Sequence, residues 1–224
     1  MLLNTVDAMP IKLVCFLLLA ATTCGGQSIH AGIGRFKIGK TPSTILYDLL
    51  SESSDSLHKI ISLRQVQSGD FTVYELLKDN ESLTSSDPYG TYCPVAKILL
   101  LNKYLLDNIS LTNVVLSFYN NVLVSFQCDY SAALERALMG KYGQPFTNSQ
   151  SNNSNCDSQL DVVRTMEWSS GSLLATITYR IAYDPACSKQ TTGQFRVWDT
   201  ELVKQLMACS DSEQLKRINQ VKPR

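Results

Sequence analysis

The chain has 224 residues, which is enough for one domain or two small ones. Its composition, 44% hydrophobic and 18% charged, is typical of a globular protein and excludes both a disordered chain and one that lies in a membrane along its length. The 20 basic and 20 acidic residues balance, so net charge provides no general attraction to nucleic acid, and no nucleic-acid partner is expected.

The N-terminal segment has the pattern of an export signal. An apolar run at positions 11–21 is interrupted only by Lys12, and small residues follow it. The run is shorter than the ~20 residues that a membrane-spanning helix needs. We therefore predict a signal peptide at residues 1–26, cleaved after Gly26.

Two alternatives at this end remain open. Cleavage after Ala31 also fits the small residues, and a second interpretation attaches a lipid to Cys24. The mature protein is then periplasmic or secreted, or anchored through Cys24. It is expected to comprise a single domain at residues 27–209 and a polar C-terminal tail at 210–224.

Cysteines indicate the chemistry of that compartment. Five remain after cleavage, which allows two disulfides and one free thiol: Cys93, Cys128, Cys156, Cys187 and Cys209. No pair has Cys-x-x-Cys spacing, and the mature chain has only two histidines, His30 and His58. The sequence therefore predicts no metal site and no cofactor.

The first elements are predicted between residues 36 and 77. Residues 36–39 form a short strand, and a helix follows with Thr41 as its cap and Pro42 in its first turn. Two β-rich runs at 60–67 and 71–77 predict a hairpin, and a polar loop is expected at 78–94.

Three apolar runs, at 96–107, 112–118 and 122–128, predict an antiparallel meander. A three-residue loop, Tyr119-Asn120-Asn121, would set Leu116 across from Val124 and Val114 across from Phe126, all on one face, whereas a two-residue loop would set Leu116 across from Ser125. The sequence therefore favours the three-residue loop.

The second half of the chain repeats the mixture of helix and strand. A helix is predicted at 131–142, a surface loop rich in Asn, Ser and Gln at 147–158, and a hairpin of 160–168 with 173–183. A last strand at 194–198 leads into a helix capped by Asp199 or Thr200. The predicted fold class is α+β, an antiparallel sheet built from a meander and hairpins, with two or three helices packed on it.

This hairpin predicts one disulfide. If Trp168 faces Leu173, Cys156 lies across from Pro185, and Cys187 is two positions further along. A Cys156–Cys187 bridge is then geometrically easy. The pairing of Cys93, Cys128 and Cys209 stays open.

The residues that specify turns and helix ends carry a resemblance. They are Phe36-Lys37-Ile38-Gly39-Lys40-Thr41, Leu116-Ser117-Phe118-Tyr119-Asn120-Asn121-Val122-Leu123, Leu138-Met139-Gly140-Lys141-Tyr142-Gly143-Gln144-Pro145, and Trp168. The chain resembles uncharacterised exported proteins of Bacteroidetes-type bacteria. More distantly, it is similar to β-lactamase-inhibitor-like and outer-membrane assembly lipoprotein folds. The resemblance implies helices on one face of an antiparallel sheet and a location in the envelope.

Few residues suggest chemistry. Residues 34–41 match the phosphate-loop pattern Gly-x-x-x-x-Gly-Lys-Thr, but no buried strand precedes them, so nucleotide binding is not expected. Four carboxylates could in principle form a glycosidase pair, although no spacing brings two together: Asp129, Glu135, Glu167 and Asp184. Arg164 is predicted to share the face of Tyr179. Either it reaches the rim of the sheet and binds an anion or carboxylate, or a bulge shifts the register.

Two functions are compatible with this sequence. The favoured hypothesis is a non-enzymatic protein-binding module in the envelope, similar to an assembly factor or an inhibitor, whose partner is another envelope protein. The alternative is a hydrolase that acts on an envelope polymer through carboxylates. No Gly-x-Ser-x-Gly motif is present, and no catalytic residue is assigned.

Overall fold

A computed structural model of the chain describes residues 29, 32–52, 59–61, 73–76, 92–154, 156 and 159–220. The predicted signal peptide, His30 and His58 lie outside these residues. The described strands are β1 Lys59–Ile61, β2 Val73–Leu76, β3 Ala96–Leu106, β4 Ile109–Tyr119, β5 Val122–Asp129, β6 Phe146–Asn153, β7 Leu160–Ser170, β8 Leu173–Tyr183 and β9 Lys189–Asp199. The described helices are α1 Ile45–Glu52, α2 Ala132–Tyr142 and α3 Thr200–Gln220.

The strands form a single sheet in the order β1-β2-β3-β4-β5-β9-β8-β7-β6. All neighbours are antiparallel except β1 and β2, which pair parallel. The meander and the β7–β8 hairpin are confirmed, and the fold is α+β with the sheet dominant. The hairpin predicted from residues 60–67 and 71–77 is wrong, because the described parts of these runs, β1 and β2, pair parallel, whereas a hairpin pairs its strands antiparallel; residues 62–72 and 77 lie outside the described residues.

One face of the sheet, called the core face here, carries the hydrophobic core. Alternate residues of β4, β5, β8 and β9 point to it and meet side chains of α1, α2 and the segment before α1. Its largest fully buried aromatic residues are Phe36, Phe118, Phe126 and Phe195. The opposite face is called the far face. A smaller cluster of Ile98, Leu100 and Val115 lies at its β3–β4 end.

The loop between β4 and β5 has two residues, not the predicted three. Tyr119 pairs with Val122, and both Asn120 (φ 49°) and Asn121 (φ 64°) adopt the left-handed conformation that a tight hairpin turn requires. A register shift between Ser117 and Phe118 then sets Leu116 across from Phe126, where Val124 was predicted. The bulge therefore keeps Leu116 and Phe126 on one face, as the predicted register also did, although Leu116 pairs two residues away from its predicted partner.

The start of the domain is a turn where a strand was predicted. Residues 37–41 lie outside any strand, and Gly39 has φ 75°. Thr41 Oγ1 accepts from the Lys37 amide and donates to the Arg35 carbonyl, so this side chain closes the turn and does not cap a helix. The helix α1 begins at Ile45, later than predicted.

The surface loop predicted at 147–158 is largely the strand β6. All of its residues are exposed, as the polar composition indicates, but their backbone pairs with β7 from Phe146↔Glu167 to Asn153↔Leu160. Composition predicted the exposure of this segment and did not predict its backbone conformation, because β7 supplies the hydrogen-bonding partner.

The β7–β8 hairpin has a two-residue turn at Gly171 and Ser172, so Trp168 pairs with Ala175 and not with Leu173. This shifts the predicted register by two residues and keeps every side chain on its predicted face. Extending the observed register beyond the strands sets Cys156 directly across from Cys187. These two cysteines form a disulfide, with Cα atoms 5.7 Å apart.

The C-terminal helix α3 is longer than predicted. Asp199 Oδ1 accepts the amides of Glu201 and Leu202, which caps the helix as expected. The helix continues to Gln220, so residues 210–220 of the predicted polar tail are helical. A second disulfide joins Cys93 to Cys209, and Cys128 is a buried free thiol.

Candidate functional site

The strand β6 forms one edge of the sheet and is the most unusual surface of the molecule. Its eight residues, FTNSQSNN, include no charged residue, no proline and no glycine. All eight are exposed, and the Phe146 side chain has 76% of its surface accessible. Its eight pairs with β7 run without a register shift. At every second residue of β6, the backbone N–H and C=O therefore point away from β7 and are not used by the sheet.

Proteins usually protect such an edge. Charged side chains, proline, bulges or very short strands prevent a foreign strand from pairing with it. The opposite edge of the described sheet is short, since β1 has three residues. β6 carries none of these protections within its eight residues, so it is a regular template for an added strand.

Arg164 lies one strand in from this edge. It pairs with Ser149 of β6 on one side and Tyr179 of β8 on the other, and its guanidinium carbon lies 5.9 Å from the centroid of the Tyr179 ring. The nine β7–β8 pairs run without a bulge, so the predicted shared face of Arg164 and Tyr179 is confirmed. The side chain is exposed, and none of the ion pairs found among the described residues includes it.

The aromatic platform under Arg164 is held in place by α2. Tyr179 stacks on Tyr130, with ring centroids 4.5 Å apart and planes 19° from parallel. The Tyr130 hydroxyl donates to Glu135 Oε2 at 2.7 Å. Burial, followed by the hydrogen bond to Glu135, raises the pKa of Tyr130 above its ordinary value, so this donor stays protonated.

The four candidate carboxylates do not come together. Asp129 on β5 and Glu167 on β7 are three strand spacings apart, about 14 Å, which exceeds the ~5–9 Å of a glycosidase pair. Glu135, on α2, accepts a hydrogen bond from the Tyr130 hydroxyl. Asp184 accepts the backbone amides of the turn at the end of β8, and these bonds lower the pKa of its carboxyl.

The described part of the chain has no cluster of three His, Cys, Asp or Glu residues that could hold a metal ion. The glycines of the phosphate-loop pattern lie in the turns before α1, and none of the strands that the structure describes leads into them. None of the described helices combines the length and apolar character needed to cross a membrane.

Sequence reasoning placed Arg164 correctly and missed β6. One signal could have found the strand: residues 146–159 contain neither glycine nor proline. A loop of this length without regular structure is uncommon in a compact domain.

No protein-family model, curated protein or solved structure matches the chain. The resemblance to exported proteins of Bacteroidetes-type bacteria therefore stays a prediction. The surfaces of the molecule are the basis for any statement about its function.

Proposed function

We propose that this protein is an exported, non-enzymatic binding module that adds an extended segment of another envelope polypeptide to its sheet at β6. The observation that carries the proposal is the eight-residue, uncharged and fully exposed edge strand. Strand addition supplies main-chain hydrogen bonds for affinity, while neighbouring side chains supply specificity. An assembly factor or an inhibitor would both use such a surface.

Arg164 supports a partner of particular chemistry. An added strand would lie two strand spacings from β7, about 10 Å. The Ser149 side chain, which stands between them on the core face, is small and leaves the space above β6 open. The long Arg164 side chain lies over Tyr179 of β8, and by turning toward β6 it can meet a carboxylate that projects from the added strand. We infer an extended segment with an acidic residue across from Ser149.

Export is part of the same proposal. The N-terminal sequence pattern supports a cleaved signal, and the two disulfides are typical of proteins outside the cytosol. Residues 1–26 would be removed before the domain folds around its bridges. The mass of the intact protein from its native host tests this step. Export fails if residues 1–26 are retained, and a diacylglyceryl group on Cys24 would show anchoring.

The test begins with a photo-crosslinking amino acid at Gln150, introduced in the native host. It identifies the polypeptide that contacts the edge, and the same probe at Glu201 on α3 serves as the control. The identified segment is then synthesised, and its affinity for the purified mature protein is measured. Crosslinking to a second copy of this chain, together with a concentration-dependent dimer, would contradict the proposal.

Two proline variants decide whether the contact is strand addition. Adjacent N–H groups of β6 alternate between β7 and the open edge, so one of Ser149→Pro and Gln150→Pro removes an inward donor and the other an outward donor. The less destabilised variant identifies the outward position. We expect it to bind the segment at least 10-fold more weakly. Unchanged affinity in that variant would overturn strand addition.

The acidic contact is tested separately. Arg164→Glu should weaken binding of the segment at least 10-fold, and Arg164→Lys should weaken it less. When the acidic residue of the segment is replaced by its amide, most of the difference in affinity between the parent protein and Arg164→Glu should disappear. Lys103→Glu makes the same charge change at an exposed position of β3 and should have little effect on this affinity. If Arg164→Glu behaves like Lys103→Glu, the acidic contact is wrong, while strand addition still depends on the proline result.

A further inference from the structure

A pocket of about 390 Å³ lies on the far face, across β4, β5, β9, β8 and β7 and away from the β6 edge. This volume is within the ~300–1,000 Å³ range of small-molecule sites. Its side chains are almost all polar. The lining of this far-face pocket includes Asn113, Gln127, Asp129, Val163, Arg180 and Gln194.

Asp129 at one end of the pocket is held by two consecutive residues of β4. Thr112 Oγ1 and Asn113 Nδ2 both donate to Asp129 Oδ2, at 2.9 and 2.7 Å. Consecutive strand residues normally point to opposite faces, but Asn113 adopts the left-handed conformation with φ 51° and so turns to the same carboxylate. Asp129 Oδ1 takes part in no hydrogen bond found in the described part of the chain.

The centre and the far end of the pocket are also fixed by side-chain pairs. Gln127 Nε2 donates to Gln194 Oε1 at 3.1 Å, which leaves the oxygen of the first amide and the nitrogen of the second available. Arg180 Nη2 lies 2.7 Å from Asp161 Oδ2, so its charge is compensated. Hydrogen-bond donors and acceptors therefore alternate across the pocket floor. Asp129 carries the one charge of the lining that has no ion-pair partner among the described residues.

We infer that the far-face pocket binds a pyranose unit of a neutral saccharide. Each sugar hydroxyl both donates and accepts, which suits a floor where a carboxylate oxygen, an amide oxygen and an amide NH₂ are open side by side. Val163, with 39% of its surface accessible, offers the small apolar contact that the C–H groups of a pyranose need.

Other ligand classes fit this pocket less well. A phosphate or sulfate would meet Asp129 without an uncompensated cation in the lining, because Arg180 is paired with Asp161. A peptide side chain would require a deeper apolar recess than Val163 alone provides. The neutral saccharide is therefore the ligand that the donor set favours.

The test uses the purified mature protein and NMR titration of its backbone amides. The probes are glucose, galactose, mannose, N-acetylglucosamine and the β-1,4-linked dimers of glucose and of N-acetylglucosamine. We expect at least one to shift the amides of Gln127, Asp129 and Gln194 in a saturable manner. Absence of any saturable shift up to 50 mM, or shifts confined to other residues, would overturn the inference.

Matched variants locate the interaction. Gln194→Ala should weaken binding of the responding sugar at least 10-fold. Gln190→Ala, the same change nearer the start of β9 and outside the pocket lining, should leave this affinity unchanged. Asp129→Asn tests the open carboxylate oxygen and should also weaken it. Equal affinities in Gln194→Ala and Gln190→Ala would contradict the site, as would tighter binding of inorganic phosphate or trialanine at the same amides. The β6 proline variants should leave sugar binding unchanged.

Discussion

Cys93 is bonded to Cys209, 116 residues further along the chain, and this bridge attaches the middle of α3 to the residues just before β3. The Tyr92 amide also donates to Ser210 Oγ at 3.0 Å, so the two segments meet through a hydrogen bond as well. The bridge therefore links the last helix to the strand β3, although β4 and β5 lie between β3 and β9, the strand that leads into this helix.

We predict that removing this bridge destabilises the domain more than removing the other one. In the chain-entropy relation, a loop of 116 residues contributes about 5 kcal/mol and one of 31 residues about 4 kcal/mol. The double variants Cys93→Ser/Cys209→Ser and Cys156→Ser/Cys187→Ser are compared by urea unfolding. A larger loss in the second double variant would contradict the prediction.

How far the sequence predicts this fold is shown by Trp168 and Arg164. The predicted register of the β7–β8 hairpin was wrong by two residues, yet both side chains lie on their predicted faces, because a shift of two preserves the alternation of a strand. The Cys156–Cys187 bridge was predicted for the same reason. The face on which a side chain lies follows from the alternation of residues along its own strand, whereas the exact register between two strands depends on the turn that joins them.

Features that depend on distant strands could not be predicted in this way. β5 lies next to β9, so Gln127 reaches Gln194 across 67 positions, and nothing near either residue in the chain indicates this pairing. The strand β6 likewise forms because β7 offers it a partner. The far-face pocket and the β6 edge therefore depend on the order of the strands in the sheet. The core face depends on the alternation of apolar and polar residues within each strand.

The β4–β5 turn gives the next prediction. Asn120 and Asn121 are both left-handed, but only Asn121 also accepts from the Ser43 amide and hydroxyl. Alanine at either position costs ~1 kcal/mol in backbone strain, and Asn121→Ala should cost about 0.5–1 kcal/mol more because the Ser43 hydroxyl loses its acceptor, while the Ser43 amide keeps the Asn121 backbone carbonyl. Thermal unfolding of both variants measures the difference. Equal losses would show that the Asn121 side chain contributes nothing.

A third prediction concerns the two tryptophans. Trp168 is buried on the core face, and its Nε1 donates to the Gly143 carbonyl at the end of α2 at 2.9 Å. Trp168→Phe should cost about 2–3 kcal/mol, since it leaves that carbonyl unpaired and a small cavity. Trp198→Phe on the far face loses mainly its stacking with Arg196, worth about 1 kcal/mol. Urea unfolding followed by circular dichroism compares them, and a larger loss at Trp198 would contradict this assignment.

The last prediction is a pH dependence that originates from the free thiol. Cys128 is 1% accessible, and burial, followed by the nearby charge of Asp129, raises the pKa of its thiol from 9.0 to about 12. The folded state therefore keeps the proton that the unfolded chain releases above pH 9. Stability from this group is fully present below pH 9 and declines as pH rises toward 12.

The variant Cys128→Ala isolates this effect. The raised pKa values of Tyr130 and Tyr142 are common to both proteins and cancel in the comparison. Between pH 9 and 10.5, the unfolding free energy of the parent protein should fall by about 1.5 kcal/mol more than that of Cys128→Ala, since a proton released by one group on unfolding contributes ~1.4 kcal/mol per pH unit. Urea unfolding at a series of pH values gives this difference. Parallel pH profiles for the two proteins would mean that the Cys128 thiol ionises as readily in the folded domain as in the unfolded chain.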